Sequence, residues 1–246
     1  MNPALLNAAA GMRARMETLD VIGNNIANAG ATGFKADQEF YRLFDAALSR
    51  PGHGASERPE MPYSEGSRTD FRQGPLQATG STLDVALSGP GFLVVETPQG
   101  ELYTRNGSLQ LDAQGTLRTS DGLPVLGSNR QPIVLPREGE LEISKNGGIE
   151  VGGIAAGQLL IEEFSQAGAL KKVGHTLFSL QPGVEPAPAA LTTVRQGSLE
   201  SSNVNVSESA VRLIAASRHF DLLRRAASLV GDEMEGQAVE RLGAIR

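Results

Sequence analysis

An α+β fold, with a helix at each end and an all-antiparallel β domain between them, is predicted from hydrophobic periodicity and from where the turn residues fall. At both ends of the chain apolar residues recur every three or four positions, the spacing of one helix face. Between them the period drops to two, and Gly, Asn, Asp and Pro return at short intervals, as in antiparallel strands joined by tight turns.

Leu5, Ala9, Met12, Met16, Leu19, Gly23 and Ile26 alternate spacings of four and three, which lines them along one seam of an N-terminal helix. Val206, Ala210, Leu213, Ser217, Phe220, Leu223, Ala227, Val230 and Met234 step by four or three along a C-terminal helix, with Ser217 as the polar interruption. Asn205 followed by Glu208 forms a capping-box pair that starts this helix near Val206. Arg224 and Arg225 are placed away from the seam. Two such seams need partners, so the helices are expected to pair as a coiled coil, either as a hairpin within one chain or as an assembly handle ordered when subunits stack.

In the middle, Leu83, Val85 and Leu87 alternate before the turn Gly89-Pro90-Gly91, and Phe92–Glu96 resumes ahead of Pro98-Gln99-Gly100. Asn106-Gly107, Asp121-Gly122 and Asn146-Gly147 supply residues that tolerate the positive φ of hairpin turns. Leu159–Phe164 and Thr176–Leu180 extend the sheet, whereas Pro182, Pro186 and Pro188 predict a loop over Gln181–Ala190. Arg50–Gly66, rich in Pro and Gly, reads as a linker or long excursion. The expected division is 1–34 for the N-terminal helix, 35–80 for the linker, 81–195 for the β domain and 196–246 for a return segment and the second helix.

Composition narrows function by exclusion. The 246 residues carry a net charge of −6 and no Cys, which removes disulfides and thiolate metal sites. An excess of 28 acidic over 22 basic residues, with no basic stripe, argues against nucleic acid or anionic lipid as a partner. The apolar stretch Ala4–Met12 is short, is broken by Asn7 and precedes the first basic residue, Arg13, so neither a membrane span nor a cleaved signal peptide is expected there. His53, His175 and His219 lack metal-ligand spacing. Glu162-Glu163 sits on a strand whose neighbouring side chains point to opposite faces, so the pair reads as edge or surface charge. Neither a Gly-x-Ser-x-Gly elbow nor a phosphate-binding Gly-Lys-Ser/Thr loop occurs. No catalytic site, cofactor, metal or small-molecule substrate is expected.

The run Gly23-Asn24-Asn25-Ile26-Ala27-Asn28-Ala29-Gly30-Ala31-Thr32-Gly33-Phe34-Lys35 resembles the N-terminal signature of flagellar rod and hook proteins. Three further blocks agree with it in the same order. They are Asp84–Leu87 leading to Gly89-Pro90-Gly91-Phe92, then Tyr103-Thr104-Arg105-Asn106-Gly107-Ser108, then Gln196-Gly197-Ser198-Leu199-Glu200-Ser201-Ser202-Asn203-Val204-Asn205. The resemblance implies an axial structural subunit of the basal-body rod, passed through the flagellar export apparatus without signal cleavage and built into a hollow helical shaft that carries torque from motor to hook. It further implies paired terminal helices lining an axial channel, with the β domain outward, and other rod subunits or hook subunits as partners. The implied assembly interface comprises Leu5, Ala9, Met12, Met16, Leu19 and Ile26 on the first helix. On the last helix it comprises Val206, Leu213, Phe220, Leu223 and Val230. Asn25, Asn28, Gly33, Phe34 and Asn203 complete it from the signature blocks.

For Asn24, Asn25 and Asn28 a local role in ending the helix stands beside amide bonding to a neighbouring subunit. Gly33 fits a turn of positive φ, and Phe34 a ring buried against the adjoining segment. Length leans toward a rod subunit over a hook subunit, and the absence of recognisable insertions in Tyr41–Gly74 favours the proximal rod. A binding module, acting as a monomer or closed ring, would instead place an exposed groove on the β domain.

Overall fold

The computed structural model describes residues 3–43, 62–164 and 167–243, with side chains described for 8–39, 67–164 and 168–229. In chain order, a helix stands at each end with antiparallel strands between them. The helices are α1 (Pro3–Ala27) and α2 (Val206–Gly243). In chain order the strands begin with β1 (Asp37–Leu43), β2 (Pro62–Thr69), β3 (Leu76–Ala78), β4 (Val85–Ser88), β5 (Phe92–Thr97) and β6 (Gly100–Thr104). They continue with β7 (Leu109–Leu111), β8 (Leu117–Thr119), β9 (Leu141–Ile143), β10 (Gly148–Val151), β11 (Ile154–Gln158) and β12 (Ile161–Glu163). The last are β13 (Leu170–Lys172), β14 (Leu177–Leu180), β15 (Ala187–Pro188), β16 (Thr193–Gln196) and β17 (Ser198–Glu200).

The chain forms two compact units. One consists of Met1–Ile26, Asp37–Arg68 and Asn205–Arg246, and so holds both helices with β1 and β2, which pair with each other. Strands therefore occupy part of the stretch expected as linker, although most of its Pro- and Gly-rich segment lies outside the described residues. The other unit consists of Ala27–Ala36 and Thr69–Val204 and holds the remaining strands.

The largest sheet of the β unit runs β13-β14-β6-β5-β12-β15. Its centre, β5, reads Phe-Leu-Val-Val because both of its faces are covered. Leu93 and Val95 point into a core with Val85, Leu117, Val125 and Ile149, while Phe92 and Val94 point into a second core with Tyr103, Leu126 and Phe178. Phe178 is fully buried, with the rings of Phe71 and Phe92 centred 5.2 and 5.8 Å away.

Asn146-Gly147 turns between β9 and β10, and Gly152-Gly153 between β10 and β11, all three glycines with φ between 59° and 84°. Asn106-Gly107 differs from expectation. Gly107 closes no hairpin but lets the backbone pass Val85, where a Cβ would stand 1.7 Å from the Val85 carbonyl oxygen. Pro188 within β15 pairs with Glu162 at the sheet's edge, the one kind of strand position that tolerates a missing N–H.

The Glu162-Glu163 pair is not surface charge. Both are buried, and they do point to different partners: Glu162 pairs with Arg130, and Glu163 accepts from Leu191 N at 2.8 Å and Thr192 Oγ1 at 2.7 Å. Burying a carboxylate is tolerable only with such donors, and here they fasten β12 to the segment leading into β16.

Truncating Phe178 to Ala removes a ring shared by the aromatic core, and a loss of about 3–5 kcal/mol is expected. Urea denaturation of the full chain, followed by far-ultraviolet circular dichroism, checks this; an unchanged midpoint would count against the core assignment.

Candidate functional site

The signature blocks converge inside the β unit on a buried ion triad. Lys35, Glu200 and Arg105 have side chains exposed by 0%, 1% and 2%. Glu200 Oε1 accepts from Lys35 Nζ at 2.6 Å and from Gly74 N at 2.8 Å, and its Oε2 accepts from Arg105 Nη1 at 3.2 Å. Two cations facing one carboxylate leave positive charge over, and backbone carbonyls absorb it. Lys35 Nζ also donates to Arg72 O at 2.8 Å, and Arg105 Nη2 to Gly89 O at 2.6 Å. The Arg105 guanidinium lies 4.7 Å from the Phe92 ring centroid, within reach of a cation–π attraction. Burial pulls both cations below their ordinary pKa ranges, and Glu200 opposes that pull.

The neighbouring signature residues fit around the triad. Gly33 takes φ 68°, donates its N–H to Glu200 O at 2.7 Å, and packs so closely that a Cβ would stand 2.4 Å from Arg105 C. Phe34 is buried beneath Lys172 Nζ, which sits 4.0 Å from the ring centroid and donates to Lys35 O at 2.7 Å. Asn203 Oδ1 accepts from Ala36 N at 2.8 Å, while Nδ2 donates to Asp70 O at 2.8 Å and Arg72 O at 3.0 Å. Asn28 Oδ1 accepts from His175 Nδ1 at 3.0 Å.

In the helical unit, Asn25 is buried and mimics a strand partner for Asp37. Its Nδ2 donates to Asp37 O at 2.8 Å and its Oδ1 accepts from Asp37 N at 2.9 Å. Asn205 caps α2 as the sequence suggests, its Oδ1 accepting from Glu208 N at 3.2 Å.

The helices pack, but along a seam displaced from the one periodicity picked out. On α1 the residues with the least exposure are Ala14, Thr18 and Asn25, in line with Gly11, where a Cβ would come 3.4 Å from Leu223 Cδ1. This stripe, spaced by three, four and seven, is small and polar, and Thr18 satisfies its own hydroxyl on Ala14 O at 3.0 Å. Of the predicted α1 seam, Ala9 is exposed, Met16 is 55% exposed, and Met12, Leu19 and Ile26 are half-buried. On α2, Leu213, Phe220 and Leu223 are half-buried, but Ala216 takes the buried place assigned to Ser217, which is exposed; Val206 is 50% exposed. Side chains of Leu5 and Val230 lie outside the described residues.

Among the described residues no three acids or histidines gather as a metal site, and no helix is long and apolar enough to cross a membrane. A shallow groove in the β unit, lined by Gly127, Ser128, Pro132, Ile133 and Gln158 among others, holds no titratable side chain.

Three family models match the chain. One described as flagella basal body rod protein covers residues 5–35, the flagellar hook protein FlgE/F/G D1 domain covers 86–151, and the flagellar basal body rod FlgEFG protein C-terminal covers 195–226. The flagellar basal-body rod protein FlgF of Caulobacter vibrioides is 32% identical over 228 residues, spanning 92% of each chain. The chain belongs to the flagellar basal-body rod protein family. It is accordingly a structural subunit of the rod. FlgF of Rhizobium meliloti is 31% identical over 255 residues, spanning both chains completely, and FlgG of Borreliella burgdorferi is 33% identical over 264 residues, spanning 97% of this chain and 98% of its own.

The triad escaped sequence reasoning although each member sits in a quoted block. The available signal was a charged residue embedded among Gly, Phe, Thr and Leu, where a solvated side chain would have little reason to sit.

Lys35→Met leaves Glu200 with one cation in a closed site, so a loss of about 3–5 kcal/mol is expected. In a Glu200→Gln background the same substitution should cost less than half as much, and a double-mutant cycle by thermal unfolding measures the difference. Additive losses would show that the two residues do not act as a pair. Gly33→Ala forces a Cβ into the Arg105 backbone at a left-handed φ, and the melting temperature should fall by several degrees or more.

Proposed function

We propose that this chain is a proximal rod subunit, of the FlgF type, whose terminal helices pair as a coiled coil and pack against those of neighbouring subunits. The observation that carries the choice within the rod is the economy of the alignments. That to the Caulobacter FlgF uses 228 positions to cover 92% of a 246-residue chain, nearly one for one, whereas that to the Borreliella FlgG needs 264 positions to cover 97% of it. The FlgG chain therefore carries insertions that this chain lacks.

Assembly is supported by what the helices leave uncovered. The small inner stripe of α1 meets α2, and larger apolar side chains such as Met16 and Val206 stay half or more exposed. The proposed interface comprises Leu5, Ala9, Met12, Met16, Leu19 and Ile26 with Val206, Leu213, Phe220, Leu223 and Val230. Asn25, Asn28, Gly33, Phe34 and Asn203 serve it from within, since their bonds and packing fix the segments that adjoin the helices. The proposed assembly domain is residues 1–34 and 196–246, a reading supported by the compact helical unit of Met1–Ile26, Asp37–Arg68 and Asn205–Arg246. Neighbouring rod proteins, with hook subunits beyond them, are the proposed partners, and the flagellar export apparatus is the proposed route, without signal cleavage.

Leu213→Asp or Phe220→Asp places a charge on the seam at a cost of several kcal/mol. Cells carrying either variant should be non-motile and their isolated basal bodies should lack the protein, while the β unit keeps its strand signal in circular dichroism. Electron cryomicroscopy of basal bodies locates the native subunit: density at the membrane end of the rod fits the proposal, and density at the hook end overturns it. The mass of the chain recovered from those basal bodies tests cleavage, and a truncated N-terminus would rule out export without processing.

A further inference from the structure

We infer that Asn146 is a self-modification site: the backbone nitrogen of Gly147 attacks its side-chain amide, ammonia leaves, and an acidic residue forms in the turn between β9 and β10. The inference is independent of the rod reading.

Asn-Gly is the dipeptide best suited to this reaction, because glycine has no Cβ to crowd its nitrogen as a five-membered ring closes. The chain has two such pairs, Asn106-Gly107 and Asn146-Gly147, and the fold treats them oppositely. Asn106 is buried. Its Nδ2 donates to Ser120 Oγ at 3.0 Å and its Oδ1 accepts from Ser108 N at 3.1 Å. Gly107 passes Val85 so closely that a Cβ would stand 1.7 Å from the Val85 carbonyl oxygen. Ring closure swings the side chain over the following nitrogen, and at Asn106 that means breaking both bonds and parting two packed segments.

Asn146 is exposed, and its bonds favour the reaction. Its Oδ1 accepts from Ser144 Oγ and from Gly148 N, the latter at 3.3 Å. A backbone N–H facing this atom fixes it as the oxygen of the amide and not the nitrogen. As Gly147 N adds to Asn146 Cγ, negative charge develops on that oxygen, where two donors are already aimed. One bond opposes the attack, because Gly147 N also donates to Ser144 O at 2.9 Å. A single turn bond opens at far less cost than a packed core.

The step balances with water alone. Water takes the Gly147 amide proton, the N–Cγ bond forms, the Cγ–Nδ2 bond breaks as water returns a proton, and ammonia departs to leave a cyclic imide. Water then opens the imide at either carbonyl, giving aspartate or isoaspartate at position 146. The fold distinguishes the two products. Aspartate keeps the turn, since a carboxylate accepts from the same two donors more strongly than an amide does. Isoaspartate adds an atom to the backbone of a turn whose flanks are fixed, with Val194 N donating to Lys145 O and Leu159 N to Gly147 O, both at 2.8 Å.

The purified full-length chain, aged in mildly alkaline buffer and mapped by peptide mass spectrometry, tests this. Conversion at Asn146 should outpace that at Asn106 roughly tenfold or more, and in urea, where the fold no longer protects either pair, the two rates should converge. Equal rates in the folded chain, or no conversion at Asn146, overturn the inference. Ser144→Ala should slow conversion at Asn146 severalfold with the melting temperature little changed, and Ser144→Thr, which keeps the hydroxyl, should restore it. A rate that Ser144→Ala leaves unchanged or raises overturns the role given to the donors.

Discussion

Glu200 holds together parts of the β unit that the sequence keeps far apart. Its carboxylate meets Lys35, Arg105 and the Gly74 N–H, while its carbonyl takes the Gly33 N–H, so the segment following α1, the strand β6 end and the approach to α2 share one residue. Taking three charges out of water is expensive, and an apolar trio of similar volume could bind these segments as tightly. What an apolar trio would lack is direction. A carboxylate with defined donors admits one register, and sliding the 198–203 segment by two residues along β3 would strand a buried charge. The flanking glycines follow from the same constraint, because Gly33 and Gly74 bring backbone against Arg105 and Ser201 more closely than any Cβ allows.

The helical unit is built on a different balance. Where a self-contained helical hairpin would bury its largest apolar residues, α1 turns Gly11, Ala14 and Thr18 inward and leaves Met16 largely outside. Small residues let the two helices approach closely but remove little apolar area from water, so the pair alone gains modest stability. Its larger side chains are left over for other surfaces. In the proposed rod packing, those side chains are the surface that neighbouring subunits cover.

Periodicity sufficed for the helices and for most strands because those patterns are local. The Asn205 cap, the Asn146-Gly147 turn and the alternation around Leu93 all depend on residues within a few positions of one another. The helix seam was misplaced by one position at Ala216 because Ser217 fits the spacing equally well, and periodicity cannot weigh a small apolar residue against a small polar one. On α1 the larger side chains drew attention to a stripe that is not the inner one. The triad, with Lys35 and Glu200 separated by 165 residues, left no periodic trace at all. Likewise the Asn106-Gly107 pair looks like a hairpin from its neighbours, and only the close pass of Val85 explains the glycine.

Three of the places where the chain passes between its two units lie beside residues that are bonded to one another. Ala36, Asp70 and Asn203 stand within two residues of the crossings at 36/37, 68/69 and 204/205. Inside the β unit they close a ring: Ala36 N donates to Asn203 Oδ1 at 2.8 Å, Asp70 N donates to Ala36 O at 2.7 Å, and Asn203 Nδ2 donates to Asp70 O at 2.8 Å. A pull on any one of these strands is therefore delivered to the other two before it reaches the sheet. Hydrogen bonds loaded together resist better than bonds opened one after another, and the ring is backed by the Lys35–Glu200 pair one residue further in. Three of the chain's four crossings into the β unit are thus bonded to one another at its margin.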